Sequence, residues 1–202
     1  KVIKHQYYTL SYVEKHELAE WTAHKLSYES AHGSTSRTDN FRMDSKVRTG
    51  SATTADYKNS GYDRGHLVPA GDMRLNRSAM SDSFFMSNMA PQTAAMNRGV
   101  WRKIESQVRD WTKRGESLYV ITGPVLSRIQ DSIGENRVSV PSYFYKIVLD
   151  YQNKTPRMIA FLVPNHSSKK WVDDFIVSVD YVEEITGLDF FAALPNDLED
   201  DL

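Results

Sequence analysis

The sequence predicts an α+β fold, a mixed or antiparallel central sheet flanked by helices. Three observations point to it. Short runs rich in aromatic and β-branched residues recur along the chain. One long amphipathic helix pattern stands in the middle. Across 202 residues, no repeat, low-complexity tract or linker divides them. The chain therefore reads as one domain, residues 1–202, long enough to bury a sizeable core.

Residues 7–12, Tyr-Tyr-Thr-Leu-Ser-Tyr, read as a short aromatic strand, and Ala19–Ser27 fits helix or strand equally. Residues 30–40, rich in Ser, Thr, Gly and His, and the polar residues 50–62 read as loops. The clearest helix runs from about Arg98 to Lys113, where Trp101, Ile104, Val108 and Trp111 recur at three- and four-residue steps. Lys113 and Arg114 suit its C-terminal end, and Gly115 suits its stop. Leu118–Thr122 reads as a buried strand. Tyr143–Tyr151 and Met158–Val163 read as two more, joined by a turn at residues 152–156. Residues 170–177 and 180–186 look helical, the second ending at Gly187, and the acidic stretch Leu198–Leu202 reads as frayed.

A hydrophobic fraction of 40% with eleven tyrosines marks a folded chain. No apolar run approaches the roughly 20 residues that span a bilayer. With no cysteine, disulfides, thiolate metal sites and cysteine nucleophiles are excluded, although the compartment is not. The chain starts at Lys1 and shows no signal-peptide pattern, so an N-terminal segment is expected to have been processed off or left out. The net charge of −1 hides a division. Between Arg37 and Arg114 stand 14 Lys+Arg against 8 Asp+Glu, a net of +6; the remainder holds 11 against 18, a net of −7. A positive middle suits a phosphate-tracking surface, whereas scattered solvated charge is the plainer reading.

That positive segment carries Asp63-Arg64-Gly65-His66, followed by Asn88, Asn97 and Glu105. A neutral imidazole can take a proton from water near pH 7, and the guanidinium fork of Arg64 suits a phosphate. The Asn97 carbonyl oxygen and the Glu105 carboxylate suit a hard cation such as Mg²⁺. His66 and Asn97 are too far apart in sequence to share one helix, so a fold must bring them together. Asn97 opens the predicted helix and Glu105 follows two turns later, so both can look towards one site.

These segments also carry a family resemblance. Asp63-Arg64-Gly65-His66, then Ser87-Asn88-Met89-Ala90-Pro91-Gln92, then Asn97-Arg98-Gly99-Val100-Trp101 with Glu105, resemble the DNA/RNA non-specific endonucleases, the ββα-metal nucleases. Tyr119–Pro124, Val140–Lys146 and Glu183–Phe191 resemble the same family, so the likeness covers nearly the whole chain. It implies a ββα-metal active-site motif and tips Ala19–Ser27 to strand. It implies Asn97 as the direct ligand of Mg²⁺, or alternatively Mn²⁺, with several waters completing the shell. Glu105 would orient one of those waters, and His66 would be the general base. Arg64 would stabilise charge on the phosphate, Asn88 would stand near the metal, and Arg37 would help grip phosphate, with Arg42 as its rival.

Each role has a plainer competitor. His66 could be an inert structural histidine, Asn97 a helix N-cap, and Glu105 an exposed partner of Arg102 or Arg109. Asn88 could be a strand-end amide. Asp63 is expected to bond backbone or Arg64, and Gly65 to permit a close turn beside the site. Histidines 5, 16, 24, 32 and 166 lack ligand-like spacing, and the Met73–Met96 methionines read as packing. The resemblance implies hydrolysis of DNA and RNA to 5′-phosphate and 3′-hydroxyl ends, with a processed, secreted or periplasmic bacterial enzyme as the expected setting. An inactive nucleic-acid-binding relative and a phosphodiesterase acting on small nucleotides are the alternatives. A homodimer or an inhibitor partner stays open.

Overall fold

The computed structural model describes residues 1–115, 117–152 and 156–192. In chain order the elements are β1 (Val2–Lys4), β2 (Thr9–Val13), β3 (Leu18–Leu26), α1 (Tyr28–His32), α2 (Thr54–Tyr57), β4 (Asp63–His66), α3 (Arg77–Asp82), β5 (Met89–Gln92), α4 (Ala94–Met96), α5 (Arg102–Trp111), β6 (Leu118–Pro124), β7 (Ile129–Ile133), β8 (Val138–Pro141), β9 (Tyr143–Asp150), β10 (Arg157–Pro164), β11 (Ile176–Val177) and α6 (Val179–Thr186). Seven strands pair antiparallel in the order β1-β2-β3-β6-β9-β10-β11. Two small antiparallel pairs, β4-β5 and β7-β8, stand apart from this sheet. The α+β expectation holds.

Strand alternation decides what each sheet face buries. On β9, Phe144 and Val148 belong to the larger core cluster with Trp101, Ile104 and Val108 of the central helical segment. Tyr145 and Ile147 face the other way and join Val182 of α6. The sheet is therefore covered on both faces, which explains why β9 reads as a nearly continuous apolar run. Lys146 breaks that run on the Phe144 face, and it is nevertheless buried.

Several boundaries differ from the sequence reading. The expected loop 30–40 begins inside α1, where Ser27 and Ser30 form a reciprocal capping pair, and the expected loop 50–62 contains α2. The 170–177 helix is instead a short turn, Val172–Phe175, followed by β11. Ile176 and Val177 pair with Phe161 and Ala160 on the sheet edge, a contact that outweighs local helical pattern. The 98–113 helix is broken at its start. Residues 97–101 form a wide turn in which Gly99 has non-helical angles (φ −97, ψ −113), and regular helix begins at Arg102. Most of the 152–156 turn and all of Leu198–Leu202 lie outside the described residues.

Candidate active site

Strand β4 carries the first part of the motif. It pairs with β5, placing Asp63 opposite Gln92 and His66 opposite Met89. Gly65 faces Ala90, and a Cβ there would collide with the Gln92 side chain. Close strand packing, rather than a turn, requires glycine at this position. The chain then runs from β5 through Thr93, whose hydroxyl accepts from Met96 N at 3.3 Å and caps α4. Asn97 is therefore not an N-cap; it follows α4 within the wide turn. Two strands and the helical segment 94–111 together form a ββα unit.

That unit and a preceding loop surround one cavity of about 390 Å³, lined by Arg37, Arg64, His66, Pro69, Ala70, Gly71, Asn97, Arg98, Arg102, Glu105 and Arg109. The fold thus brings five of the expected residues together: His66, Arg64, Asn97, Glu105 and Arg37. The His66 ring packs edge-on against Phe84 at 4.9 Å and Phe41 at 5.8 Å. Its Nε2 is buried and has no hydrogen-bond partner among the described residues. Burial first, then the Arg37 and Arg64 charges, push the imidazole down to about 3. His66 is therefore neutral at physiological pH and free to accept a proton.

The arginines are mounted on aromatic rings. The Arg64 guanidinium lies 4.0 Å from the Phe41 ring centroid, and the Arg37 guanidinium 4.8 Å from that of Phe84. Arg42 is engaged elsewhere. It sits 3.9 Å from the Phe85 centroid, bonds Ser81 O at 2.7 Å and pairs with Asp82 at 3.6 Å, so of the two rivals Arg37 is the one at the cavity.

The Asp63 carboxylate bonds Asn97 and Arg98, not Arg64. Its Oδ2 accepts from Asn97 Nδ2 at 2.9 Å, while Arg98 Nη2 donates to Oδ1 at 2.6 Å. Burial works to raise the Asp63 carboxyl, but the Arg98 and Asn97 hydrogen bonds outweigh it and hold it below the usual range. With its amide nitrogen committed to Asp63, Asn97 has its carbonyl oxygen left as a neutral acceptor. Glu105, half-buried, has no side-chain hydrogen bond or ion pair among the described residues. Neither Arg102 nor Arg109 pairs with it; Arg109 Nη1 goes to Asp72 Oδ1 at 2.8 Å. Burial raises the Glu105 carboxyl to about 7, with the Lys146 charge the main opposing influence.

These two groups fit a hydrated divalent cation. A desolvated, unpartnered carboxylate gains most from a nearby cation, and an amide oxygen on the same helical segment supplies a hard neutral ligand. Among the described residues, no three His, Cys, Asp or Glu side chains gather as a metal cage. The donor set therefore suits an ion such as Mg²⁺, which keeps most of its waters.

Asn88, expected near the metal or else as a strand-end amide, does not line the cavity, and its contacts match the strand-end amide. It is fully buried. Its Oδ1 accepts from Val68 N at 2.9 Å, and its Nδ2 donates to Val68 O at 3.0 Å and Ser83 O at 2.8 Å. It thus pins the chain that leaves His66. Asn88→Ala is expected to lower the unfolding free energy by about 3 kcal/mol, because three backbone groups lose their partner. The denaturant midpoint reads this directly, and an unshifted midpoint contradicts the pinning role.

Sequence reasoning missed Arg109, Asp72 and Lys146. Buried Asp72 takes Arg109 on one oxygen and His24 Nε2 on the other at 3.0 Å, which aims Arg109 into the cavity. Burial works against ionised Asp72, but the His24 and Arg109 contacts prevail and hold it below the usual range. Lys146 Nζ donates to Thr122 Oγ1 at 2.6 Å and lies 5.0 Å from the Trp101 ring centroid, one helical turn from Glu105. Each depends on contacts across distant segments, which no local spacing reveals. Histidines 5 and 24 are core residues paired with Asp44 and Asp72.

The family model for DNA/RNA non-specific endonucleases matches residues 1–197. Nuclease EXOG of Danio rerio, a mitochondrial protein, is 33% identical over 96% of this chain and 62% of its own length. Nuclease C1 of Cunninghamella echinulata var. echinulata is 34% identical over 95% of this chain and 83% of its own length. The mitochondrial endonuclease G of Homo sapiens is 33% identical, with 91% and 67% covered. A crystal structure of an EndoG/EndoGI complex, which addresses EndoG inhibition, superposes with a TM-score of 0.89 at 30% identity, covering 98% of this chain and 88% of that chain. The chain thus spans less than two thirds of the Danio rerio relative. Among the described residues, no helix is long and apolar enough to cross a membrane.

Proposed function

Because this chain belongs to the DNA/RNA non-specific endonucleases, we propose that it hydrolyses phosphodiester bonds of DNA and RNA with little sequence preference, using a Mg²⁺-type ion. One observation carries this reading. His66, Asn97 and Glu105 line a single cavity together with Arg37, Arg64 and Arg109.

The ion would be held directly by Asn97 and through an intervening water by Glu105. When bound, it supplies Lewis-acid stabilisation of the charge that develops on the phosphate and the departing 3′-oxygen. His66, neutral in the free protein, takes a proton from the attacking water at the ring nitrogen facing the cavity. A phosphodiester brought against Arg37 and Arg64 offsets the charges that depress His66 and so strengthens it as a base. Arg64, Arg37 and Arg109 hold the non-bridging oxygens. Asp63 fixes the Asn97 amide, and Asp72 fixes Arg109. Groups that grip phosphate carry no sequence information, so little base preference follows. An inactive nucleic-acid binder fits less well, since the base, both ion-holding groups and three arginines share one cavity.

Cleavage is expected to leave 5′-phosphate and 3′-hydroxyl ends. Digested DNA should then accept a labelled phosphate from polynucleotide kinase only after phosphatase treatment. Direct labelling without phosphatase would show the opposite bond breaking and overturn the proposed chemistry.

A further inference from the structure

Beside the catalytic cavity lies a second pocket of about 370 Å³, lined by Thr54, Tyr57, Lys58, Tyr62, Asp63 and Arg64. Arg64 lines both spaces, so this one residue forms their common wall. Of the residues on the far side of that wall, the hydrolysis described above uses only Asp63, which fixes the Asn97 amide.

The outer wall of this pocket is firmly anchored. It is built from α2 and the residue after it. Within α2, Asp56 accepts Thr53 N at 2.7 Å and the Thr53 hydroxyl at 2.9 Å. It also accepts Asn136 N at 3.1 Å and Asn136 Nδ2 at 2.8 Å. The Asn136 contacts come from the turn between β7 and β8, where Gly134 has φ +69 and a Cβ would collide with Asp56. The β7-β8 hairpin therefore clamps α2 in place.

The lining is chemically uneven. Tyr57 is only 6% exposed, and its hydroxyl has no hydrogen-bond partner among the described residues. A buried hydroxyl left unsatisfied is costly, and such groups in native proteins commonly serve a ligand or an ordered water. Lys58 is exposed and makes no ion pair among the described residues. Half-buried Tyr62 adds aromatic surface, whereas the Asp63 carboxylate is already taken by Asn97 and Arg98. A cation, an unpartnered hydroxyl and aromatic surface, joined through Arg64 to the cavity that would seat a phosphate, match what a nucleotide presents: an anion, a sugar and a flat base.

We infer that this pocket holds the nucleotide flanking the scissile phosphate, its own phosphate towards Lys58 and its sugar or base against Tyr57 and Tyr62. The inference rests on the endonuclease reading. Steady-state cleavage of a short single-stranded oligonucleotide, in the presence of Mg²⁺ and of Mn²⁺, tests it with Tyr57→Phe and Lys58→Ala. Tyr57→Phe keeps the ring and removes only the hydroxyl, and Lys58→Ala alters an exposed side chain, so a thermal melt should verify folding in both. Each variant is expected to raise KM about tenfold, with the loss falling in KM rather than kcat. An unchanged KM, as expected if an ordered water satisfies Tyr57, or a loss confined to kcat, overturns the assignment of this pocket while the nuclease reading stands. Failure of the wild-type protein to cleave the oligonucleotide overturns both.

Discussion

Asn97→Ala is expected to lower metal-dependent cleavage by about a thousandfold. Asp63 accepts the Asn97 Nδ2 at 2.9 Å and is itself gripped by Arg98 at 2.6 Å, so the amide is fixed in orientation and its carbonyl oxygen is the group left to meet an ion. Alanine removes that oxygen and releases one Asp63 oxygen. On the proposed arrangement, Glu105 alone, acting through water, would then hold the cation weakly. Calorimetric titration with Mg²⁺ or Mn²⁺ should show a clear binding isotherm for the wild-type protein and a flat trace for the variant. Equal isotherms would place the ion elsewhere.

His66→Ala carries the other large effect, a loss of about a hundredfold to ten-thousandfold in kcat, the range that a positioned general base contributes. The pH behaviour makes this role distinctive. Burial and two arginine charges hold the imidazole at about 3, so the free protein keeps a neutral base well below the ordinary histidine midpoint. The same depression bears on stability. The unfolded chain takes up this proton near pH 6.5, whereas the folded one does so only near pH 3. The contribution of neutral His66 is therefore fully present above about pH 6.5 and is lost as pH falls towards about 3. His66→Ala removes that dependence, so its melting temperature should fall less than that of the wild-type protein between neutral and mildly acidic pH. Parallel declines would mean that burial does not hold His66 neutral.

What the sequence revealed follows from where its signals are local. Strands β6, β9 and β10 announce themselves by aromatic and β-branched content, and α5 by its three- and four-residue apolar steps, whereas β3 fits helix or strand equally and only the family resemblance tips it to strand. Strands β4 and β5 have four residues each, too few for a period, and Gly65 and Pro91 within them read as breakers. They form because they pair with each other. The break at 97–101 was equally hidden, since the apolar steps of Trp101, Ile104 and Val108 continue through it. In the site, the motif and the family resemblance single out His66, Arg64, Asn97 and Glu105, and the fold gathers these four at one cavity. Arg109 enters the sequence reading only as one of two possible surface partners of Glu105, because its true partner, Asp72, comes from a distant segment. Asn88 shows the converse ambiguity between chemistry and structure. An asparagine in a motif reads as chemistry until its three bonds to Val68 and Ser83 are seen.

The central claim is that one cavity holds a neutral histidine base and a cation site that together cut phosphodiesters of either nucleic acid. The most direct test is cleavage of supercoiled plasmid and of total RNA by the wild-type protein and His66→Ala side by side, with Mg²⁺ or with a chelator. Degradation of both substrates by the wild-type protein, only with metal, and loss of that activity in the variant is the predicted result. Equal cleavage by the two proteins, or cleavage that persists with chelator, would contradict it.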